Sequence, residues 1–282
     1  MNILVTGGAG FIGTNLIKRL VKDNHSISCI DNYISGYRTN HIPGVQYYNL
    51  DIEKVSSLGT NWDIIFHLAA LSRIQPSFKD PYETFRVNTL GTQKVLELAR
   101  ESKSKVIYAG SSSKHHNPYQ SPYATYKYLG EEVCKMYKIS YLMNIEIARF
   151  YNVYGPNEII EGDWAPVTGI WRNQINNNFP ITVVGDGTQS RDFTHVEDIV
   201  DGLYKIAMSN KTHEDAWELG TGVSYSINEV FSFFEERFGE LEIKYIPQQS
   251  GNYAKTLREN NDAINILNWA PQDRLKQYIL GL

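Results

Sequence analysis

Tyr123 and Lys127 have the types and spacing of a proton-transfer pair. They stand four residues apart after Ser121-Pro122, a pair that favours the start of a helix, so they share one helix face. A phenol has a pKa of about 10 and is a poor base at neutral pH. A neighbouring ammonium stabilises the phenolate and brings the pKa toward the working range. The pair therefore predicts removal of a proton from a substrate hydroxyl.

A glycine-rich turn predicts a second kind of chemistry, the binding of a pyrophosphate. Gly7, Gly10 and Gly13 lie between an apolar run and a helical pattern that includes Phe11 and Ile12. Gly7 allows a sharp turn, Gly10 allows phosphates to approach the main chain, and Gly13 allows tight packing of helix on strand. The helix N-terminus supplies N–H donors and partial positive charge. We therefore predict a dinucleotide site.

The residue at the end of the next strand indicates which dinucleotide binds. Asp31 follows Gly13 by 18 residues, where a carboxylate meets the adenosine ribose, and Asn32 comes next. A carboxylate accepts hydrogen bonds from free ribose hydroxyls and repels a 2′-phosphate. Arg38 lies near enough in sequence to accommodate that phosphate, but Asp31 occupies the nearer position. NAD is therefore the predicted cofactor, and its positively charged nicotinamide adds to the effect of Lys127 on Tyr123.

Composition excludes several classes of function. The chain has 282 residues, 42% of them hydrophobic, and a net charge of −4, which argues against a nucleic-acid partner. Cys29 and Cys134 have no metal-ligand spacing and do not form a disulfide framework, so no metal site is predicted. We find no signal peptide and no apolar run of membrane-spanning length. The expectation is a soluble, cytoplasmic protein without a membrane partner.

Apolar runs alternate with helical patterns in the first half of the chain. This alternation predicts an α/β fold with a doubly wound parallel sheet. The predicted strands are Asn2–Thr6, Ser26–Ile30, Val45–Leu50, Asp63–Leu68, Lys105–Ala109 and Asn144–Ala148. The clearest predicted helices are Tyr82–Arg100 and Pro122–Ile139. We place a cofactor-binding domain at 1–152, to which about 190–210 return, and a smaller α/β substrate domain at 153–282.

Later segments of the chain give shorter patterns. An irregular stretch is expected over Asn157–Asn178, and helices over His195–Met208 and Ser226–Phe238. Short strands are expected over Ile181–Val184, Ala216–Leu219 and Leu241–Ile246.

Motifs along nearly the whole chain resemble one family. They are TGGAGFIG at 6–13, DN at 31–32, DI at 51–52, HLAA at 67–70, DPYETFRVNTLGT at 80–92, Y-x-x-x-K at 123–127, RFYNVYGP at 149–156 and GDGTQSRDFTHVEDIVDG at 185–202. This pattern is similar to the extended short-chain dehydrogenases/reductases, and within them to the NAD-dependent nucleotide-sugar epimerases and dehydratases. The resemblance implies a Rossmann sheet and a nucleotide-sugar substrate.

The resemblance also implies roles for individual residues. Ser111 and Tyr123 act at the reacting hydroxyl, Lys127 binds the nicotinamide ribose, and Asn152 and Arg191 contact the nucleotide sugar. A planar guanidinium suits a diphosphate, although Arg191 could instead pair with Asp192 or Asp198. The complete predicted cofactor-binding set is Gly7, Gly10, Phe11, Ile12, Gly13, Asp31, Asn32, Ser35, Gly36, Asp51, Ile52, Leu68, Ala69, Ala70, Asn88, Tyr123 and Lys127.

Ser112 and Ser113 indicate the reaction. In the resembled dehydratases an Asp-Glu pair follows the strand-end hydroxyl, and the decarboxylases usually carry Glu at the second position. Serines there cannot act as carboxylate acids or bases, so we favour a 4-epimerase, most simply of a UDP-hexose. It oxidises C4 transiently and returns hydride to the opposite face. A dehydratase, a decarboxylase, a keto-sugar reductase and a non-catalytic NAD-binding protein remain as alternatives.

Three further expectations follow from departures and from the resemblance. The loop at 114–118 is short, and its histidines, His115 and His116, are expected to be solvated, with contact to the substrate as the alternative. No arginine occurs in the stretch 248–252, where relatives carry a second diphosphate ligand, so Lys255 or Arg258 is a candidate replacement. Relatives dimerise through the helices predicted at Tyr82–Arg100 and Pro122–Ile139, which predicts a homodimer.

Overall fold

Seven parallel strands form the main sheet of the computed structural model, which describes residues 1–282. Their order is β3-β2-β1-β4-β5-β6-β10, so the chain reverses its winding direction between β1 and β4. The strands are β1 Asn2–Thr6, β2 Ser26–Asp31, β3 Gln46–Asn49, β4 Ile64–His67, β5 Lys105–Ser111, β6 Ile145–Phe150 and β10 Trp217–Leu219. This is the predicted doubly wound fold, and all six strands predicted in the first half occur within one or two residues.

Helices cover both faces of this sheet because successive strand residues point to opposite sides. Ile3 and Val5 face the first layer, formed by α1 (Phe11–Leu20), α7 (Val196–Met208) and α9 (Asp262–Leu267). Leu4 faces the second layer, formed by α4 (Gly91–Ser102) and α5 (Pro122–Ser140). Burial on both faces explains why the strands are continuously apolar.

The helix predicted at Tyr82–Arg100 is interrupted in the structure. Its first part is α3, Pro81–Phe85, preceded by the short helix α2, Ile74–Lys79. A π-helical turn, Arg86–Leu90, separates α3 from α4. Such turns insert one extra residue per turn and are rare outside functional regions. The helix predicted at Pro122–Ile139 is confirmed as α5.

A smaller unit contains two short sheets around its own core. The strands β7 (Asn152–Tyr154), β9 (Ser190–His195) and β11 (Ser224–Ser226) form one sheet, and β8 (Ile181–Val184) pairs with β12 (Ile243–Ile246). The helices of this unit are α6 (Val167–Asn176), α8 (Ile227–Phe238) and α10 (Leu275–Leu280). Trp171 and Phe234 are fully buried between them. No helix of the protein combines the length and apolar character needed to cross a bilayer.

Two features differ from the expected organisation of residues 153–282. The stretch expected to be irregular contains α6, whose buried face is Thr168, Gly169 and Trp171. More of the chain returns to the larger sheet than the predicted 190–210. Strand β10 pairs with β6 of that sheet. Trp269, which follows α9, lies in the same core as Ile3. Conversely, β9 lies within the segment 190–210 that is expected to join the larger domain, but it belongs to the small three-stranded sheet.

Candidate active site

The carboxyl ends of the main strands open into one large cleft of about 680 Å³. It begins at the reversal between β1 and β4 and extends to the smaller unit, whose strands β8 and β9 line its far end. Open parallel sheets bind ligands at this position. The cleft therefore brings together residues that are more than 200 positions apart in sequence.

The glycine turn forms one end of this cleft with a geometry suited to a pyrophosphate. Gly7 has φ +70°, and a Cβ there would lie 2.8 Å from the Ala69 nitrogen. A Cβ on Gly13 would collide with the Gly7 carbonyl oxygen. Helix α1 starts at Gly10 without a side-chain cap and without an acidic residue in its first turn. Its first N–H groups are thus available to an anion, as a bound NAD requires.

Asp31 is held rigidly beside this turn. Its carboxylate accepts hydrogen bonds from the N–H groups of Ala9 (2.9 Å) and Tyr33 (2.8 Å). Burial raises the pKa of Asp31, and the two backbone donors oppose that rise. Arg38 lies over the ring of Tyr33 and is absent from the cleft wall. A carboxylate, rather than a cation, therefore faces the ribose end.

Most of the predicted cofactor-binding residues line the cleft. These are Gly7, Gly10, Phe11, Ile12, Gly13, Asp31, Asn32, Ser35, Ile52, Leu68, Ala69, Ala70, Tyr123 and Lys127. Three others, Gly36, Asp51 and Asn88, lie behind its wall and contact protein instead.

These three residues support the wall. Gly36 packs against the main chain of Ala9 so closely that a Cβ would lie 2.9 Å from the Ala9 carbonyl carbon. Asp51 forms a bidentate pair with Arg86, with both N–O distances 2.8 Å. Asn88 bonds to the N–H (2.8 Å) and carbonyl (2.9 Å) of Leu71. Direct contact of these three with NAD stays a prediction, and the contacts present are structural.

Ser111, Tyr123 and Lys127 converge in the middle of the cleft. Ser121 caps α5 by accepting a hydrogen bond from the Ala124 N–H (3.1 Å), which places Tyr123 and Lys127 one turn apart. The Tyr123 hydroxyl donates to Ser111 Oγ (3.3 Å). The Lys127 ammonium donates to the Ala109 carbonyl (2.5 Å) at the end of β5. Strand and helix thus place all three groups on one reaction centre.

The expected effect of Lys127 on Tyr123 is not present in the protein alone. Burial raises the pKa of Tyr123, and the smaller opposing effects come from Ser111 and from Arg73, not from Lys127. Burial also lowers the pKa of Lys127 to about 8. Removal of water destabilises the charged forms of both groups. The prediction that Lys127, together with the charge of a bound nicotinamide, lowers the pKa of the phenol stays a prediction for the NAD-loaded protein.

Asn152 and Arg191 lie at the substrate end of the cleft. The Asn152 amide donates to the Asp192 carbonyl (3.2 Å) and to Thr256 Oγ1 (3.0 Å). Arg191 makes one hydrogen bond, to the Ser190 carbonyl (2.8 Å), and pairs with no carboxylate. The alternative pairing of Arg191 with Asp192 or Asp198 is wrong. Asp198 pairs with Arg274 instead. Asp192 accepts hydrogen bonds from the backbone N–H groups of Thr221, Gly222 and Arg258. Arg191 keeps donors for an anion.

Comparison with known proteins identifies the family. A model of the NAD dependent epimerase/dehydratase family matches residues 3–220. The chain belongs to this family. The predicted family, fold and cofactor, NAD, are thereby confirmed.

Members of the epimerase/dehydratase family resemble the chain over nearly its full length. A putative UDP-glucose 4-epimerase of Methanocaldococcus jannaschii is 30% identical over 98% of this chain and 95% of its own. A UDP-N-acetyl-α-D-glucosaminuronate decarboxylase of Bacillus cytotoxicus is 32% identical over 80% of this chain and 77% of its own. The UDP-glucuronic acid 4-epimerase of Bacillus cereus, solved with UDP-glucuronic acid and NAD, has a TM-score of 0.91 at 27% identity and covers 99% of this chain and 96% of that one.

The proposed replacements for the second family arginine do not reach the cleft. Arg258 is buried, and its side chain donates to the carbonyls of Gly220 (2.6 Å) and Asn260 (2.6 Å). Lys255 is exposed, and neither residue lines the cleft. The expectation that one of them binds the diphosphate is therefore not supported by their positions.

Arg73 and Tyr253 are among the residues of the cleft wall that sequence reasoning missed. Arg73 follows the HLAA motif by three residues, and only folding brings it beside Tyr123. Tyr253 is buried with no hydrogen-bond partner for its hydroxyl, and its ring stacks on His116 with centroids 3.9 Å apart. Neither residue belongs to a local motif, so no periodic or motif signal in the sequence points to them.

Side-chain contacts anchor the short loop at 114–118, although part of it is exposed. Its first histidine, His115, bonds to Glu218 (2.9 Å), which raises the pKa of His115. Lys114 pairs with Glu132 of α5 (2.8 Å). His115 stays 47% exposed, as expected, whereas His116 is half-buried and stacks on Tyr253.

Proposed function

We propose that this protein is an NAD-dependent UDP-sugar 4-epimerase. The observation that carries the proposal is the Ser111–Tyr123–Lys127 centre in a cleft whose next two strand-end residues are serines. Ser113 donates to Ser111 Oγ (2.9 Å), so it orients the catalytic hydroxyl and offers no carboxylate for elimination or decarboxylation. The relatives named as 4-epimerases support the same activity.

The residues of the cleft have separate roles in this reaction. Tyr123 takes the proton of the sugar C4 hydroxyl, and Ser111, within hydrogen-bond reach of the phenol, orients that hydroxyl. When bound, NAD would supply an acceptor for the C4 hydride and its donor on return, and its positive charge would favour the Tyr123 phenolate. Inversion at C4 requires the 4-keto sugar to rotate in the cleft between the two transfers. Tyr123 then returns the proton, so atoms and electrons balance without net oxidation. Arg191 and Asn152 hold the nucleotide diphosphate and sugar.

The test is incubation with UDP-hexoses and UDP-hexuronates, read by chromatography and proton NMR. We expect interconversion of C4 epimers without net NADH, and a loss of at least about a hundredfold in Tyr123→Phe. Tyr119→Phe is the matched control, because Tyr119 is 85% exposed. A 4-keto-6-deoxy sugar, a pentose or stoichiometric use of NADH would each replace this proposal with the corresponding alternative. No turnover with NAD still bound would favour the non-catalytic reading.

We also propose that the protein is a cytoplasmic homodimer. Both cysteines are free and buried, which suits a reducing compartment. Leu90, at the end of the π-helical turn, and Met136 and Ile139 on α5 are exposed and apolar, as a helix-mediated interface requires. Light scattering measures the mass directly, and Ile139→Glu should shift it toward the monomer. A monomer in the wild type would contradict this assembly.

A further inference from the structure

Arg73 lies in the cleft wall next to the reaction centre. It immediately precedes α2, and Ser77 Oγ of that helix accepts a hydrogen bond from the Tyr123 N–H (3.0 Å). The short helix is therefore attached to the residue that carries the catalytic phenol. Arg73 and Tyr123 line the same part of the cleft wall, and the guanidinium lowers the pKa of Tyr123 against the larger effect of burial.

The guanidinium has unused donors. Its Nε donates to the Trp164 carbonyl (2.8 Å), which fixes the plane of the group, and no other hydrogen bond forms. The carboxylate that influences it, Glu158, is already bonded to Thr168 (2.7 Å) and Arg172 (2.9 Å). An arginine stays charged even when it is partly buried. Two terminal nitrogens are therefore held in the cleft without an anionic partner.

Arg73 and Arg191 belong to different elements of the cleft wall. Arg191 lies on β9 beside Tyr253, where the electrostatic influence of Tyr253 reaches it. Arg73 lies beside Tyr123, where the C4 hydroxyl must sit. If Arg191 holds the diphosphate attached to C1, the guanidinium beside Tyr123 is free to contact the sugar ring near C4. The ring substituents next to C4 are the C3 hydroxyl and the group on C5.

We propose that Arg73 binds a carboxylate on C5 of the sugar, so that the preferred substrates are nucleotide-linked uronic acids. A fixed guanidinium with two free N–H groups matches a carboxylate bidentately, whereas a neutral CH₂OH group leaves the charge unpaired. Rejection of the neutral sugar follows from that unpaired charge. This specificity deepens the proposed epimerase function and rests on its placement of C4 at Tyr123.

The first experiment measures binding to the NAD-loaded protein by calorimetry, with UDP-glucuronate, UDP-glucose and UDP as probes. We expect Arg73→Gln to weaken UDP-glucuronate binding by at least about tenfold and to change UDP binding by less than about twofold. UDP-glucose should bind equally well or more tightly, because the unpaired charge is gone. Arg73→Lys should recover part of the loss, since it keeps the charge without the fork. Lys79→Gln removes a cation from the same helix, but one that is exposed and paired with Asp163, so it should change nothing.

The outcomes separate this proposal from the epimerase proposal. Equal weakening of all three probes would assign Arg73 to the diphosphate and overturn the carboxylate site, as would tighter wild-type binding of UDP-glucose than of UDP-glucuronate. UDP, which lacks the sugar, also reports whether the Arg73→Gln protein is folded. Arg73-dependent binding of UDP-glucuronate without C4 epimerisation would leave the carboxylate site standing and remove the epimerase assignment.

Discussion

Lys127 is a charged group in a position that burial makes unfavourable for charge. It is 4% exposed, and its ammonium has the Ala109 carbonyl as acceptor and the ring of Tyr108 at 4.5 Å. These contacts orient the group but do not replace its lost hydration, because its pKa falls to about 8. The protein therefore tolerates a strained charge at the position where its chemistry needs one.

Lys127→Met should give a more stable but inactive protein. The folded pKa is below the ordinary 10.5, so between about pH 8 and 10.5 the unfolded chain binds more protons and wild-type stability rises with pH. Methionine removes that slope and raises the free energy of unfolding at pH 7 by up to about 3 kcal/mol. Urea unfolding at several pH values measures both effects. A less stable variant at pH 7 would mean that the Ala109 bond outweighs desolvation.

Removal of the Tyr253 hydroxyl tests how a buried polar group, rather than a buried charge, affects the free energy of unfolding. The buried Tyr253 hydroxyl makes no hydrogen bond of ordinary geometry, although the Ser113 and Ser121 hydroxyls lie close enough to influence its pKa. Tyr253→Phe should therefore leave the free energy of unfolding unchanged or raise it by about 1 kcal/mol. Tyr151→Phe is the control, because the Tyr151 hydroxyl donates to Glu218 (3.1 Å) and its loss should destabilise the protein by about 1 kcal/mol. Equal destabilisation by both changes would show that Tyr253 has a partner in solution.

Among the secondary-structure elements, the π-helical turn between α3 and α4 binds both the segment after β3 and the cleft wall at Leu71. Arg86 opens the turn and bonds to Asp51 after β3 and to Glu83 of α3 (2.6 Å). Two residues later Asn88 holds the Leu71 main chain. The extra residue in the turn lets both side chains reach their partners from one helix.

Arg86→Met should destabilise the protein at neutral pH and reduce its sensitivity to acid. The hydrogen bonds from Arg86 lower the pKa of Asp51 to about 2, so the pair stabilises the fold above pH 4 and this stabilisation is lost as pH falls toward 2. Asp51 is 30% exposed, so we expect a loss of about 1 kcal/mol at pH 7 that shrinks below pH 4. Arg100→Met, which breaks the exposed pair with Glu97, should have almost no effect. Equal unfolding curves for wild type and Arg86→Met would contradict the role of the pair.

Local patterns predicted the parts of the site that depend on local structure. The glycine turn, Asp31 and the Tyr123–Lys127 pair are each set by a strand end or by one helical turn, so spacing alone places them. Arg73 depends on a contact with Trp164, 91 residues away, and the π-helical turn depends on the contact of Asn88 with Leu71. Such contacts are determined by packing between elements and leave no periodic signal.

For the molecule as a whole, cofactor choice should appear as a difference in thermal stability. A ligand that binds only the folded state at 100 times its Kd stabilises by about 2.7 kcal/mol. We expect NAD to raise the Tm and NADP to have little effect, because Asp31 repels a 2′-phosphate. Asp31→Asn should bring the two responses closer together. Equal stabilisation of the wild type by NADP would remove Asp31 as the selecting residue.

The return of distant segments to the main sheet has a consequence for how the chain is made. Trp217 and Trp269 share a buried core with Ile3 and Val5. Helix α7 packs beside α1 on the same face of the main sheet. A nascent chain that ends at residue 152 therefore exposes an apolar face until more than a hundred further residues leave the ribosome. We expect a fragment of residues 1–152 to bind a hydrophobic dye and aggregate where the full chain does neither. During synthesis, this face is the surface that chaperones would have to protect.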